Sequence, residues 1–206
     1  MSRPPLTHLF FDIGGVLGSN GWDREQRAAA RDRFGLDDEF ERRHAEVASD
    51  WETGAIGFDE YLDITIFHRD RPYTREAVRE FILAQSEPFP ESIALARRIA
   101  QTGRVTLMTL NNESEALNLH RIERFGIRDL FSAFLTSCWL GRRKPSRQYF
   151  DRALAIAQAD PPRSLFIDDR EQNLVPARRL GLQTVHFAEP GQLARALAAT
   201  GLLEGA

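Results

Sequence analysis

Cysteine is nearly absent from this sequence: Cys138 is the only one among 206 residues, so an intramolecular disulfide cannot form. A chain without disulfides is typical of a reducing compartment, which favours a cytoplasmic location. Long apolar runs are missing too, since none approaches the roughly 20 residues that a membrane-spanning helix needs. The N-terminal apolar stretch is short and runs directly into Asp12, unlike a secretory signal. Cys138 itself is predicted to be a small buried side chain.

The sequence also has no surplus of positive charge. Its formal net charge is −3, which argues against nucleic acid or an anionic membrane as a partner. The residues that are present, 42% hydrophobic and 28% charged with fourteen phenylalanines, are ordinary for a soluble globular protein. A chain of this length can form one large domain, or a core domain with a smaller insert.

Short apolar runs of strand type alternate with helical patterns in most of the chain. The runs are LTHLFFDI, RVTLMTL, SAFLTS, SLFIDD and QTVHF. The helical patterns between the later runs are PESIALARRIAQTG, ESEALNLHRIERFG, SRQYFDRALAIAQ and REQNLVPARRLG. Three of these patterns end at a glycine, and Ser146 is placed to cap the third. This alternation predicts βαβ units, and therefore a doubly wound α/β core with a parallel sheet.

The segment from residue 19 to residue 87 departs from this alternation. Four consecutive stretches read as helices without a convincing strand between them, and Thr74 can cap the last one. We therefore predict two parts: a Rossmann-like core formed by residues 1–18 and 88–206, and a helical insert formed by residues 19–87.

Polar side chains suited to catalysis follow three of the apolar runs. They are Asp12 after the first run, Asn111 and Asn112 after the second, and Asp168 and Asp169 after the fourth. In open α/β sheets, ligands bind beyond the carboxyl ends of the strands. Lys144, followed by Pro145 just before a predicted helix, is expected at the same edge. Three clustered carboxylates indicate a site for a hard divalent cation.

Four stretches in this order, FFDIGGVL, TLNNES, GRRKPSRQYF and FIDDREQN, resemble the four motifs of the haloacid dehalogenase-like superfamily. Members of that superfamily are mostly magnesium-dependent phosphatases. The segment of residues 19–87 is similar to the helical cap that the superfamily inserts after its first motif. The resemblance covers nearly the whole chain and implies an α/β hydrolase with Mg²⁺ as its cofactor.

The resemblance also implies roles for individual residues. Asp12 would attack phosphorus and form an aspartyl-phosphate, Lys144 would neutralise negative charge, and Asn111 would hold a phosphate oxygen. Mg²⁺ would be bound by Asp12, the backbone carbonyl of Gly14 and Asp169, with Asp168 beside it and Asn173 in support. The candidates for substrate binding are Asn112, Gly15 and Trp22, with Asp23 next to the last of these.

Two positions depart from the family pattern. Most family phosphatases have a second aspartate at position 14, which protonates the leaving oxygen, and this chain has Gly14. The second motif normally carries Ser or Thr where this chain has Asn111. Thr109 should point to the same side of its strand as Asn111 and is a possible substitute.

Three functions remain open at this point. The first is a phosphatase of small phosphorylated metabolites, such as a sugar phosphate. The second is a 2-haloacid dehalogenase, whose halide leaves without a proton; the paired acids in FIDDREQN argue against it, and those enzymes typically have a tyrosine at position 14. The third is a module that binds a phosphorylated ligand or a protein partner without turnover. The oligomeric state is left open.

The helical insert is expected to select the substrate. Its candidate residues are His44, His68, Glu41 and Trp51, although helical spacing favours a surface or packing role for each. His120 and His186 are interpreted as structural, the latter within a core strand.

Overall fold

The computed structural model describes residues 4–203 and contains one five-stranded sheet. Its strands are β1 (His8–Phe11), β2 (Thr106–Asn111), β3 (Ala133–Thr136), β4 (Ser164–Asp168) and β5 (Gln183–His186). All the pairings are parallel, and the strand order is β3-β2-β1-β4-β5. The five apolar runs are therefore confirmed as strands of a parallel sheet, with β1 at its centre.

Helices precede or follow every strand. They are α1 (Arg24–Phe34), α2 (Asp38–Glu52), α3 (Phe58–Thr65), α4 (Arg75–Ala84), α5 (Pro90–Gln101), α6 (Glu115–Arg124), α7 (Ser137–Leu140), α8 (Arg147–Ala157), α9 (Glu171–Arg179) and α10 (Pro190–Ala198). The helices predicted from the sequence are confirmed. The short α7, the C-terminal α10 and a 3-10 turn at Pro161–Arg163 are additional.

The two faces of the sheet carry separate apolar layers. Leu9 and Phe11 of β1 join one buried cluster, which includes apolar residues of α5 and α10. Phe10 points to the opposite face and joins a second cluster with residues of α8 and α9. Because successive side chains of a strand alternate between faces, a strand covered on both sides is apolar throughout. The predicted doubly wound, Rossmann-like α/β class is confirmed.

Helices α1 to α4, with the residues that connect them, form a third buried cluster; we call residues 24–84 the four-helix segment. Its centre is Phe40, Tyr61 and Trp51, and Leu117 of α6 packs against it. The chain leaves the sheet near Ser19 and returns to it near Glu87. These two points are adjacent, since the Ser19 N–H donates to the Glu87 carbonyl at 2.8 Å. The division into a core and an insert at residues 18/19 and 87/88 stays a prediction.

The helix ends follow the expected chemistry in most cases. Pro90 is the first residue of α5, and the Thr74 side chain accepts a hydrogen bond from the Ala77 N–H at 3.2 Å. Ser146 occupies the N-cap position of α8, but its side chain forms no capping hydrogen bond. Its backbone N–H donates to the Arg143 carbonyl instead, in the turn that contains Lys144. Among the described residues, no helix is both long and apolar enough to cross a membrane.

Candidate active site

The carboxyl ends of β1 and β4 bring the predicted acidic residues together. The Asp12 N–H donates to the Ile167 carbonyl at 2.9 Å, which places Asp12 beside the end of β4. Asp12, Asp168 and Asp169 each present an oxygen within 4.8 Å of the others. Parallel strands end at the same edge, and this edge carries the cluster that the sequence predicted.

Lys144 joins two of these carboxylates. Its Nζ lies 2.9 Å from Asp12 Oδ2 and 2.7 Å from Asp168 Oδ2, and the side chain is buried. The backbone of Lys144 is held by Asn112, whose Oδ1 accepts from the Lys144 N–H at 2.8 Å and whose Nδ2 donates to the Lys144 carbonyl at 2.9 Å. The ammonium group is therefore fixed both by its charge partners and by the loop that carries it.

Asp168 and Asp169 differ in how their oxygens are satisfied. Both oxygens of Asp168 accept hydrogen bonds: from the Arg170 N–H at 2.8 Å, from Lys144 Nζ, and from Asn173 Nδ2 at 3.0 and 3.1 Å. Asp169 Oδ1, in contrast, is buried without a hydrogen-bond partner. A buried carboxylate oxygen is rarely left unpaired, so this atom fits the ligand set of a divalent cation.

The charges of the cluster are unbalanced. Burial raises the pKa of Asp12, and Asp168 and Asp169 add to this effect, while Lys144 opposes it. Burial and the neighbouring Asp168 likewise raise the pKa of Asp169. Burial alone would lower the pKa of Lys144, but the two carboxylates that it contacts raise it. One ammonium group faces three carboxylates, so a hard cation would relieve the repulsion.

The glycines after Asp12 have different functions in the backbone. Gly15 has φ +75°, and a Cβ there would lie 2.2 Å from Asp169 Oδ2, so only glycine lets the loop approach Asp169. Gly15 was predicted to bind substrate, whereas the structure places it against Asp169. Gly14 lines the cavity described below and lies outside the left-handed region. A Cβ at position 14 would lie 3.0 Å from Asn20 Oδ1.

Asn111 lies apart from the other predicted residues. Its Oδ1 accepts hydrogen bonds from Thr109 at 3.1 Å and from Thr136 at 3.2 Å, and its Nδ2 donates to Asn118 at 3.0 Å. The side chain is buried in this network and does not line the cavity, whereas Asn112 does. Thr109 points to the same side as Asn111, as predicted, but is equally buried. A phosphate-binding role for Asn111 stays a prediction.

A cavity of about 250 Å³ lies between the sheet edge and the four-helix segment. The sheet contributes Asp12, Gly14 and Lys144, and the four-helix segment contributes His44, Trp51 and Glu52. Each arginine at this cavity is paired with a carboxylate. The pairs are Arg27 with Glu41 at 3.2 Å, Arg121 with Glu113 at 3.2 Å, Arg143 with Glu52 at 3.1 Å, and Arg170 with Asp23 at 2.6 Å.

One wall of the cavity is aromatic. Trp22 Nε1 donates to the Tyr61 hydroxyl at 2.7 Å, and Trp51 stacks on the Tyr61 ring with centroids 3.9 Å apart. The Tyr61 hydroxyl is also hydrogen-bonded to His44 Nδ1, at 2.8 Å. Burial, assisted by Arg27, lowers the pKa of His44 to about 4. His44 is therefore a neutral ring at pH 7.

Several other candidates lie away from the cavity. His68 lies near Glu39, at 3.7 Å, and His120 is half-buried on α6. The interpretation of His186 as a core residue is wrong: it ends β5, which is an edge strand, and is exposed. Its Nε2–H donates to the Asp169 carbonyl at 2.8 Å. Cys138 is half-buried, and burial raises the pKa of its thiol to about 12.

Sequence reasoning missed six charged residues at the cavity, namely Arg27, Glu52, Glu113, Arg121, Arg143 and Arg170. Three of them lie in or beside the motifs, but a charged residue next to a motif is usually solvated. Arg121 carried a clearer signal, because it follows Leu117 and Asn118 on the buried side of α6. A cation at a buried helical position requires a partner.

Comparisons with known proteins found matches in sequence and in structure. A family model described as haloacid dehalogenase-like hydrolase matches residues 6–181. Pyrimidine 5'-nucleotidase YjjG of Escherichia coli is 33% identical over 110 residues, which are 50% of this chain and 48% of the nucleotidase. A phosphoglycolate phosphatase of Neisseria gonorrhoeae is 22% identical over 135 residues, or 66% of this chain and 50% of the phosphatase. The chain spans about half the length of these curated relatives.

A solved structure supports the fold over a larger share of the chain. The magnesium complex of a HAD family enzyme of Bacteroides thetaiotaomicron matches with a TM-score of 0.74 at 21% identity. The match covers 88% of this chain and 93% of that enzyme.

Proposed function

Because the chain belongs to the haloacid dehalogenase-like hydrolase family, we propose that it is a Mg²⁺-dependent phosphatase. It would hydrolyse a phosphoric monoester of a small, hydroxyl-rich metabolite through an aspartyl-phosphate on Asp12. One observation carries this proposal. The Asp12 carboxylate lines a cavity, is contacted by a buried ammonium group, and adjoins an unpaired oxygen of Asp169.

The relatives support the same reaction class. Those matched in sequence are a nucleotidase and phosphoglycolate phosphatases, which act on phosphoric monoesters. The Bacteroides thetaiotaomicron enzyme also forms a wild-type complex with magnesium and inorganic phosphate. These complexes support Mg²⁺ as the cofactor of this chain.

The residues of this chain divide the work. Asp12 would supply the carboxylate that bonds to phosphorus, and the Lys144 ammonium group would offset the negative charges of nucleophile and phosphate. Asp168, held by Asn173, orients Lys144. Mg²⁺, when bound by Asp12, Asp169 and the Gly14 carbonyl, supplies further positive charge next to the phosphate.

The paired charges of the cavity favour a hydroxyl-rich leaving group over one with a second anionic group. In the part of the chain that the structure describes, every arginine at the cavity already contacts a carboxylate. A second anion would have to displace one of those partners. Sugar hydroxyls, in contrast, donate to carboxylates and accept from guanidinium groups, and the Trp22 and Trp51 wall suits the apolar face of a sugar ring.

A release assay tests this proposal. Purified protein would be incubated with a panel of phosphoric monoesters, with Mg²⁺ or with a chelator, and with 2-chloropropionate, while free phosphate and chloride are measured. The Asp12→Asn variant is the matched control. We expect Mg²⁺-dependent phosphate release, fastest with sugar phosphates, that the variant lacks. Chloride release without metal would contradict the proposal and indicate a dehalogenase, and release of neither product would indicate a binding module.

A further inference from the structure

Two side chains border the space that a side chain at position 14 would enter, and the nearer is Asn20, whose Oδ1 would lie 3.0 Å from a Cβ built on Gly14. A Cβ built on Gly14 would lie 3.5 Å from Arg121 Nη1. One built on Gly21 would lie 2.6 Å from Arg121 Nη2. The Arg121 side chain, only 1% exposed, reaches from α6 into the gap between these two glycines. The guanidinium group therefore borders the region that a side chain at position 14 would enter.

Arg121 is anchored from several directions. Its Nε donates to Ser86 Oγ at 3.3 Å and its Nη2 donates to the Ser19 carbonyl. Its Nη1, the atom nearest to Gly14, lies 3.2 Å from Glu113 Oε2. Because Nε and Nη2 are bound to Ser86 and Ser19, Nη1 has little conformational freedom. The same nitrogen therefore contacts the Glu113 carboxyl on one side and borders position 14 on the other.

Glu113 is itself fixed in the cavity wall. Its N–H donates to Ser137 Oγ at 2.9 Å, and its Oε1 accepts from the Ser114 N–H at 3.3 Å. The side chain lines the same cavity as Asp12 and is 11% exposed. The site thus contains a carboxyl group that the roles assigned above do not use.

We propose that Glu113 is a catalytic residue, the general acid that protonates the leaving oxygen, and that Arg121 is the positioning residue that holds it. This proposal rests on the proposed phosphatase function. In the first step, Asp12 bonds to phosphorus, the bond from phosphorus to the leaving oxygen breaks, and the Glu113 proton moves to that oxygen. In the second, water attacks phosphorus and gives a proton to the Glu113 carboxylate, while the Asp12 oxygen leaves phosphorus as a carboxylate and inorganic phosphate is released.

The charges around Glu113 suit this role. Burial raises the pKa of Glu113 to about 7; Arg121 opposes the rise, and the Glu52 carboxylate adds to it. The other cations of the cavity contact other carboxylates: Arg143 contacts Glu52, Lys144 contacts Asp12 and Asp168, Arg27 contacts Glu41, and Arg170 contacts Asp23. A general acid is most effective when its pKa lies near the working pH. A proton on Glu113 is therefore available at neutral pH and is lost above it.

Glu52 is the competing candidate, because it also lines the cavity and burial also raises its pKa. Its partner, however, is Arg143, at 3.1 Å, and it belongs to the end of α2. Glu113, in contrast, contacts Arg121, and Arg121 borders Gly14. Geometry therefore favours Glu113 as the acid.

A leaving-group series tests the assignment. The rates of Mg²⁺-dependent phosphate release from aryl phosphates and from simple alkyl phosphates would be compared for wild type, Glu113→Gln, Glu113→Asp and Glu52→Gln. Glu123→Gln, which removes one carboxylate from the exposed side of α6, is the control. Thermal unfolding would establish that each variant is folded.

We expect Glu113→Gln to slow alkyl phosphate hydrolysis by about 10²-fold or more, the contribution of a positioned acid. The nitrophenolate group of nitrophenyl phosphate leaves without a proton, so the rate with this substrate should fall by less than about 3-fold. Glu113→Asp should fall between wild type and Glu113→Gln, and it carries the test if the glutamine variant does not fold. The dependence of rate on leaving-group pKa should be steeper in both.

Three outcomes would overturn the assignment. Equal losses on both substrate classes would mean that Glu113 has only a structural role. A selective loss in Glu52→Gln, with none in Glu113→Gln, would move the acid to α2. A wild type that releases no phosphate from any ester would instead refute the proposed function, and this inference with it.

Discussion

The sheet edge and the four-helix segment border the same cavity, but they position their side chains in different ways. At the sheet edge, Asp12 and Lys144 are fixed by backbone register and by short charged hydrogen bonds. In the four-helix segment, Trp51 and His44 are fixed by ring packing around Tyr61. In the proposed function, the sheet edge would carry the chemistry, and the helices, which depend on their own packing, would carry recognition.

The largest effect is expected at the nucleophile. Asp12→Asn should abolish phosphate release, because an amide cannot form the aspartyl-phosphate. Its thermal unfolding temperature without metal should equal or exceed that of wild type, because one of three repelling carboxylates becomes neutral. Phosphate assays and thermal melts check both parts. Turnover at the wild-type rate would remove the distinction between the two regions.

The next effect concerns the metal. Asp169→Ala should eliminate Mg²⁺ binding, because its unpaired Oδ1 is the atom that best fits a metal ligand. Asp168→Ala, whose oxygens are already hydrogen-bonded, should weaken binding by only about 10–100-fold. Titration calorimetry with MgCl₂ measures both affinities. Unchanged Mg²⁺ affinity in Asp169→Ala would exclude it as a ligand.

A smaller effect is expected from the aromatic wall. Trp51→Ala should lower the free energy of unfolding by about 3–5 kcal/mol, because Trp51 is 3% exposed and stacks on Tyr61. It should raise KM more than it lowers kcat. Trp139→Ala is the control, since Trp139 is 45% exposed and its loss should cost less than about 0.5 kcal/mol. Chemical denaturation and steady-state kinetics separate these effects. A variant that lost kcat alone would place chemistry in the helices.

The smallest effect is the pH dependence due to His44. Its folded pKa, about 4, lies below the ordinary value of 6.5, so the unfolded chain binds the proton more readily. Its contribution to stability is complete above pH 6.5 and is lost as the pH falls to about 4. His44→Gln should therefore remove on the order of 2 kcal/mol of the difference in unfolding free energy between pH 7 and pH 4. Denaturation curves at both pH values test this. An equal fall in unfolding free energy from pH 7 to pH 4 in wild type and in His44→Gln would contradict it.

The sequence predicted most of the fold because the pattern of strands and helices is local. It also placed Asp12, Lys144, Asp168 and Asp169 together, since the ends of parallel strands must meet at one edge. It did not show that Asn112 rather than Asn111 faces the cavity, because that depends on which side of the strand end the cavity lies. The exposure of His186 followed from the edge position of β5, which the strand order alone reveals.

The contact between Arg121 and Glu113 could not be predicted from the sequence for a different reason. Glu113 lies two residues before α6 begins, and its contact with Arg121 depends on how α6 packs against Ser19 and Ser86. The hydrogen bonds that join Trp22 and His44 to Tyr61 likewise connect residues that are distant in sequence. Such arrangements arise from tertiary packing, which a local pattern does not contain.

The hydrogen bond between Ser19 and Glu87 has a consequence for how such a protein can diversify. The chain leaves the sheet and returns to it through neighbouring backbone groups, so the route from β1 to α5 is independent of the residues between them. The entropy of closing such an excursion rises only slowly with its length. A longer, shorter or unrelated segment can therefore be spliced in at this junction without disturbing Asp12 or Lys144, and a new substrate preference requires no new catalyst.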